Sequence, residues 1–268
     1  MPNIGQISLL LLAAGLFAAA AGAASTRVAA KHRNLSGLLS WIAIALSVAS
    51  LMWHSISRGS WVPLEDNFDA LVWIGLLLAA FVKYVQRRRP VPGLEWFLFP
   101  LVAVLLVAAV IFDSTTPHLY VRTAWSWVHR ISSYGAALGL FVAGAGGAMY
   151  LIAVHRLRDR RIFSASPLGS LERLEHLTFF SVTVGFALLT IALATGLEPL
   201  VRGKSSAQGW LGPKVLLGAM LWIVYAIVLH APIAPALRGR KVAMLSVAGF
   251  VLLTGTLVAS QFISGGTR

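Results

Sequence analysis

The sequence predicts an all-α fold, a polytopic bundle of about eight transmembrane helices, from its composition and the length of its apolar runs. Of the 268 residues, 58% are hydrophobic and only 12% are charged, whereas a soluble domain carries about 25% charged residues. The mean hydropathy is +0.80, and the apolar runs approach the roughly 20 residues that a helix needs to cross a bilayer. We therefore expect a single transmembrane domain over residues 1–268, embedded in the lipid bilayer.

Short loops separate the apolar runs, and none of the loops is long enough to hold a soluble domain. Small residues inside the runs, such as the Gly-Ala-Gly-Gly stretch at 144–147, would let neighbouring helices pack closely. In chain order, the predicted spans are Ile4–Ala24, Leu35–His54, Asn67–Tyr84, Leu94–Phe112, Trp125–Leu151, Leu177–Leu197, Pro213–His230 and Val242–Ile263.

The first run also has a feature of a cleaved signal peptide, because the small residues Ala-Gly-Ala-Ala end it at 21–24. A signal peptide begins with a basic segment, and no Lys or Arg precedes this run. We therefore expect the first span to be retained.

The basic residues are distributed unevenly between alternate loops. Clusters of Lys and Arg lie at 27–33, 83–89, 156–173 and 238–241, and the opposite loops hold fewer. The richer side is expected to be cytoplasmic, which places both termini outside. Topology thus explains the net charge of +13 without a nucleic acid partner. The chain has no cysteine, which excludes disulfides and thiolate metal sites.

Four of the seven histidines lie at the ends of predicted spans. The predicted orientation sorts them into an outer pair, His54 and His129, and an inner pair, His176 and His230. Ionisable residues at such positions are candidates for function, and two imidazoles from facing helices can supply both axial ligands of a haem iron. Alternatively, these histidines lie at the membrane interface and bind water or backbone groups. The residues alone leave both interpretations open.

Basic and aromatic residues accompany the outer pair. Arg58 and Arg130 lie close to His54 and His129 in sequence, where their charges would suit the propionates of haem. Trp125 and Trp210 belong to a group of tryptophans at the outer ends of spans. Such tryptophans form either an interfacial aromatic belt or a platform for a flat apolar ligand.

Several segments resemble the cytochrome c assembly protein family, which includes CcsA, CcmC and HemX-like proteins. The resemblance is carried by Gly-Pro-Lys-Val at 212–215, by the segment ending in Leu-His at 221–230, and by Leu-Arg-Gly-Arg-Lys at 237–241. Val-His-Arg-Ile-Ser-Ser-Tyr at 128–134 is similar to the family's histidine followed by a helix start. Together with weaker matches at 63–71 and 170–176, the resemblance covers about residues 50–263.

The resemblance implies a protein that handles haem b in the bacterial inner membrane, with cytochrome c maturation or haem-biosynthesis proteins as partners. His129 and His230 match histidines of the family, and His54 and His176 match positions of its HemX-like branch. The family's Trp-rich segment is reduced here to residues 209–214, and no histidine follows the last span. The resemblance therefore implies a haem transporter or chaperone of the HemX-like branch rather than a complete haem lyase.

Three functions thus remain open from the sequence. The protein holds or translocates haem between an inner and an outer bis-histidine site; it is a transmembrane di-haem electron carrier; or it is a cofactor-free subunit of a membrane assembly.

Overall fold

The computed structural model describes residues 4–24, 29–57, 59, 67–112, 123–158, 170–197, 213–230 and 239–265. Within these ranges the regular secondary structure is entirely α-helical, which confirms the predicted fold class. The helices are α1 (Ile4–Ala23), α2 (Ala29–Ser57), α3 (Asn67–Arg88), α4 (Leu94–Ile111), α5 (Ala124–Arg158), α6 (Leu171–Gly196), α7 (Pro213–His230) and α8 (Arg240–Gly265).

Each predicted span corresponds to one of these helices. Seven helices are long and apolar enough to cross a membrane, and α7 is an apolar helix whose described side chains, from Val215 to His230, form a shorter stretch. Several helices extend beyond the predicted span; α5, for example, continues to Arg158. Lys and Arg favour helices, so a helix can continue past the hydrocarbon layer into a basic segment. The orientation of the termini stays a prediction.

The helices divide into two compact units. The first comprises Met1–Leu119 with Ser166–Gly169 and contains α1 to α4. The second comprises Tyr120–Ala165 with Ser170–Arg268 and contains α5 to α8. The expectation of a single transmembrane domain remains a prediction.

In the first unit, each helix contacts the next one in the chain, and α4 returns to pack on α1. The Phe17 and Phe99 rings meet between α1 and α4 with their centroids 5.5 Å apart. The buried Ser36 hydroxyl of α2 donates a hydrogen bond of 3.0 Å to the Ala20 carbonyl of α1. Small polar side chains of this kind bridge helices where lipid offers no hydrophobic driving force for association.

In the second unit, α5 packs between α6 and α8, and α7 closes the bundle between α6 and α8. Gly139 of α5 lies so close to α6 that a Cβ atom there would stand 2.9 Å from the Gly185 Cα. Gly147 faces α8 in the same way, because a Cβ atom added there would lie 2.9 Å from the Ala243 carbonyl oxygen. The predicted close packing at 144–147 is thus confirmed at Gly147.

A fully buried tyrosine links three helices of the second unit. Tyr225 of α7 is completely inaccessible, and its hydroxyl lies 3.5 Å from the carbonyl oxygens of Leu140 on α5 and Ser246 on α8. Its ring lies directly against Gly249 of α8. Tyr225 therefore packs α7 against both α5 and α8.

Candidate functional site

His54 lies near the end of α2 in the first unit and is 4% exposed. Its ring centroid is 4.3 Å from that of Phe68 at the start of α3. The Ser57 hydroxyl donates to the His54 carbonyl oxygen over 2.9 Å, and the Gln6 amide of α1 donates to the same hydroxyl. His54 is therefore part of a packed polar end of the first unit and is not a surface histidine.

Asp69 lies next in sequence to Phe68, the aromatic neighbour of His54, and was not among the predicted site residues. It is fully buried in the first turn of α3. A carboxylate is stabilised in this position by the positive end of the helix dipole, which gives Asp69 a structural reason to be there. An acidic residue inside a predicted apolar span was the signal that could have identified it.

His129 lies near the start of α5 in the second unit, and its ring contacts the end of α6. Its Nδ1 atom is 2.8 Å from the Ala192 carbonyl oxygen, and the Thr195 hydroxyl is 3.4 Å from the same nitrogen. Because a carbonyl oxygen only accepts, Nδ1 carries the proton in this hydrogen bond. In the neutral imidazole, Nε2 then has a free lone pair. A backbone carbonyl holds metal-binding histidines in the same way in many proteins.

The His129 ring fits against a glycine at the end of α6. A Cβ atom on Gly196 would lie 2.9 Å from His129 Cε1 and 3.2 Å from its Nδ1. The contact with Cε1 is closer than two carbon atoms normally approach each other, and the contact with Nδ1 is also tight. Gly196 therefore leaves the space that the imidazole occupies, and Ala192 sets its tautomer.

Next to His129, a cation and an indole form a pair on the same helix. The Arg130 guanidinium carbon lies 5.5 Å from the centroid of the Trp127 ring, within range of a cation–π interaction. Trp125 is 52% exposed near the start of α5, a position typical of an interfacial aromatic belt. Arg58 and Trp210, the other predicted site residues, lie outside the described residues.

A cavity of about 460 Å³ lies at the opposite end of the second unit. It is bounded by the last turns of α5 and α7, by the first turns of α6, and by the start of α8. The lining residues are Tyr150, Glu172, Glu175, His176, Thr178, Phe179, Val228, Gly239, Val242 and Ala243.

The structure places the two predicted inner histidines at this end of the unit but in different environments. His176 lines the cavity. His230 lies at the end of α7, exposed, with Nδ1 2.7 Å from the Ala226 carbonyl oxygen of its own helix. It is not among the lining residues, although Val228 of the same helix is. Since α6 rises about 1.5 Å per residue, Ala192 beside His129 lies about 24 Å along the helix from His176.

Charged groups surround the cavity asymmetrically. On the α6 side, Glu172, Glu175 and His176 all line it. On the α8 side, the exposed Arg240 and Lys241 are neighbours of the lining residues in sequence. The glutamates were not predicted, although their spacing of three and four residues along a helix places them on one face with His176.

No cluster of three or more His, Cys, Asp or Glu residues in the described ranges could hold a metal ion. Haem differs from such sites because its porphyrin supplies four ligands and the protein only the axial ones.

Comparison with known proteins connects these observations to a family. A family model described as "Cytochrome C assembly protein" matches residues 8–266. The cytochrome c biogenesis protein CcsA of Prochlorococcus marinus (strain MIT 9303) is 34% identical over 237 residues, which cover 87% of this chain and 73% of the relative. No solved structure gives a significant match.

Two further relatives are similar over most of their length. The cytochrome c biogenesis protein CcsA of Synechococcus sp. (strain RCC307) is 24% identical over 250 residues, which cover 82% of this chain and 79% of the relative. The inner membrane protein YpjD of Escherichia coli (strain K12) is 24% identical over 234 residues, which cover 83% and 88% respectively. The alignments therefore include both helical units.

Proposed function

Because this chain belongs to the cytochrome c assembly protein family, we propose that it binds haem b in the bacterial inner membrane and holds or translocates it during cytochrome c assembly. The names of its relatives, which refer to cytochrome c biogenesis and to the inner membrane, support this role and location. Partners would be cytochrome c maturation or haem-biosynthesis proteins. The assignment to the HemX-like branch stays a prediction.

The observation that carries the proposal is the setting of His129. The Ala192 carbonyl oxygen, 2.8 Å away, holds Nδ1 protonated and leaves the lone pair on Nε2. That is the state in which an imidazole binds iron, because the metal requires a ligand nitrogen that carries no proton. Gly196 provides space for the ring. Arg130, which packs against the Trp127 ring, would pair its charge with a propionate. Trp125 would provide a flat apolar surface.

The cavity at the other end of the second unit is the proposed inner site, with His176 as the residue that would bind the iron. Its volume lies within the 300–1,000 Å³ typical of ligand pockets. Glu172 and Glu175 would repel propionates, so the haem would enter with these groups directed towards Arg240 and Lys241 at the start of α8. His230 also has its Nδ1 atom beside a backbone carbonyl oxygen, that of Ala226, so its Nε2 lone pair would be available to iron in the same way. Because His230 is not among the lining residues of the cavity, its role as a second ligand is proposed from the sequence alone.

In this proposal the protein positions its cargo and does not break bonds. Bound haem supplies the iron and its redox chemistry, whereas the chain supplies neutral imidazoles, basic partners for propionates and a water-poor environment. We propose His54, Arg58 and Trp210 as further contributors to the outer site on the basis of the sequence alone. The proposed activity is that of a haem transporter or chaperone rather than the complete reaction of a haem lyase.

The test compares the optical spectrum of the full-length protein, purified from haem-replete cells, with the spectra of four single alanine variants. The replaced residues are His54, His129, His176 and His230. We expect a Soret band that weakens in His129→Ala and in His176→Ala. His155→Ala is the matched control, because this exposed residue of α5 belongs to neither site and should leave the band unchanged. Transfer of the haem to apocytochrome c would support a role as haem transporter or chaperone.

Two results would overturn the proposal. A wild-type protein without a Soret band, indistinguishable from all its variants, would favour a cofactor-free assembly subunit. A haem that is oxidised and reduced reversibly in a redox titration, and that never leaves the protein, would favour a di-haem electron carrier.

A further inference from the structure

Lys83 of α3 is a basic residue buried in the first unit, independent of the histidine sites. It is 9% exposed, and its Nζ lies 3.5 Å from the Gly37 carbonyl oxygen of α2. The same nitrogen lies 5.9 Å from the centroid of the Trp41 ring and 5.8 Å from that of Phe99. Ionisable residues within membrane helices are costly and therefore mark functional sites by default.

Arg87 lies one turn further along α3 and contacts the same indole. Its guanidinium carbon is 5.2 Å from the centroid of the Trp41 ring. Arg87 is exposed, and Trp41 is 45% exposed. One indole on α2 thus holds two cations from successive turns of α3, the first buried and the second at the surface. A basic side chain at a helix end commonly extends into water. Lys83 and Arg87 instead both contact the partly exposed ring of Trp41.

The surface around Trp41 is apolar on both helices. Leu38 and Ile42 on α2 and Tyr84 on α3 all expose large side chains. In a membrane helix, such exposed apolar faces contact the acyl chains of lipids. The cations therefore lie at the border between a lipid-facing surface and the basic end of α3.

One acidic residue faces this group. Glu95 of α4 lies within electrostatic range of Lys83, and it accepts a hydrogen bond of 3.4 Å from the Ser36 hydroxyl. Its charge offsets that of Lys83, but α3 ends with Arg87 and Arg88, both exposed, followed by Arg89. The surface keeps an excess of positive charge.

We propose that Lys83, Arg87 and Trp41 form a binding site for the headgroup phosphate of one anionic phospholipid. Charge complementarity selects this occupant, because basic groups between or beside transmembrane helices bind anionic lipid headgroups. The guanidinium of Arg87 donates to phosphate oxygens in a fork that matches their geometry. The acyl chains lie along Leu38 and Ile42.

The site can be tested on the full-length protein in a neutral detergent. Thermal unfolding is followed with added phosphatidylglycerol or with phosphatidylcholine of the same acyl chains, and native mass spectrometry counts bound lipids. We expect phosphatidylglycerol to be retained and to raise the melting temperature more than phosphatidylcholine. Arg87→Gln should weaken phosphatidylglycerol binding about fivefold, because it removes the guanidinium that donates to the phosphate oxygens.

Arg88→Gln is the matched control, because Arg88 has the same charge and exposure at the same helix end, but its side chain leaves the helix about 100° away from that of Arg87. It should bind phosphatidylglycerol like the wild type. Trp41→Leu should reproduce the loss seen with Arg87→Gln, and Trp41→Phe should largely restore binding. Equal binding of both lipids by the wild type would overturn the proposal. So would equal losses in the two arginine variants, since they would indicate a diffuse basic surface.

Discussion

Replacing Gly196 by alanine would test the role of the His129 setting most directly. The added Cβ atom would lie 2.9 Å from His129 Cε1 and 3.2 Å from Nδ1, whereas non-bonded carbon atoms are comfortable at about 3.5–4.0 Å. The ring must therefore move by roughly half an ångström or more to restore normal contact. A movement away from the end of α6 also carries Nδ1 away from the Ala192 carbonyl oxygen.

The size of the effect follows from that hydrogen bond. At 2.8 Å it is near optimal, and a lengthening of about half an ångström takes it past the 3.2 Å limit of ordinary N–H···O bonds. Loss of a partner that orients a metal-binding histidine typically lowers metal affinity by about 10- to 100-fold. That factor corresponds to about 1.4–2.8 kcal/mol of binding free energy.

The assay is an optical titration of the purified variant with haem, followed at the Soret band. Gly255→Ala is the control, because this helical glycine of the same unit has no atom within 4 Å of an added Cβ. We expect wild-type affinity for Gly255→Ala and weaker binding for Gly196→Ala. Equal affinities for the two variants would show that the Ala192 hydrogen bond does not prepare His129 for iron.

Three further predictions concern the packing of the second unit. Gly139→Ala would press against the α6 backbone and should destabilise the protein by about 1–3 kcal/mol, the cost of overpacking, as measured by thermal unfolding in detergent. Trp222→Phe and Thr190→Val each remove the indole-to-hydroxyl hydrogen bond of 3.0 Å between α7 and α6; a double-mutant cycle in unfolding free energy should give a coupling of about 0.6 kcal/mol, and strictly additive changes would contradict it. Gly249→Ala would collide with the Tyr225 ring and should lower the melting temperature more than Tyr225→Phe, which keeps the ring and loses only weak hydrogen bonds of 3.5 Å.

The helices could be predicted from the sequence because a bilayer leaves the backbone few alternatives. A spanning segment must satisfy all its backbone hydrogen bonds internally, so a long apolar run is already a statement about secondary structure. The same argument explains why the ends were less accurate. Beyond the hydrocarbon layer, the extension of α5 to Arg158 depends on local helix propensity and not on hydropathy.

The environment of each histidine could not be predicted, because it depends on how the helices rotate against each other. Gly139 and Gly185 allow α5 and α6 to approach closely, and His129 meets Ala192 in the register that results. Likewise, Lys83 was interpreted as part of a basic loop cluster, whereas the structure buries it beside Trp41. Hydropathy locates the membrane-spanning segments in the sequence, but it does not show towards which neighbouring helix each side chain points.

The packed interior of the second unit has a consequence for the passage of water and protons. Between the His129 end and the cavity, Leu140 and Phe141 of α5 are fully buried, Phe141 packs against Phe250 of α8, and Tyr225 fills the space beside them. Apolar and aromatic side chains at this density leave little room for a chain of water molecules. We therefore expect the second unit to carry polar groups near both of its ends without a continuous water path between them, so that it would not conduct protons across a bilayer.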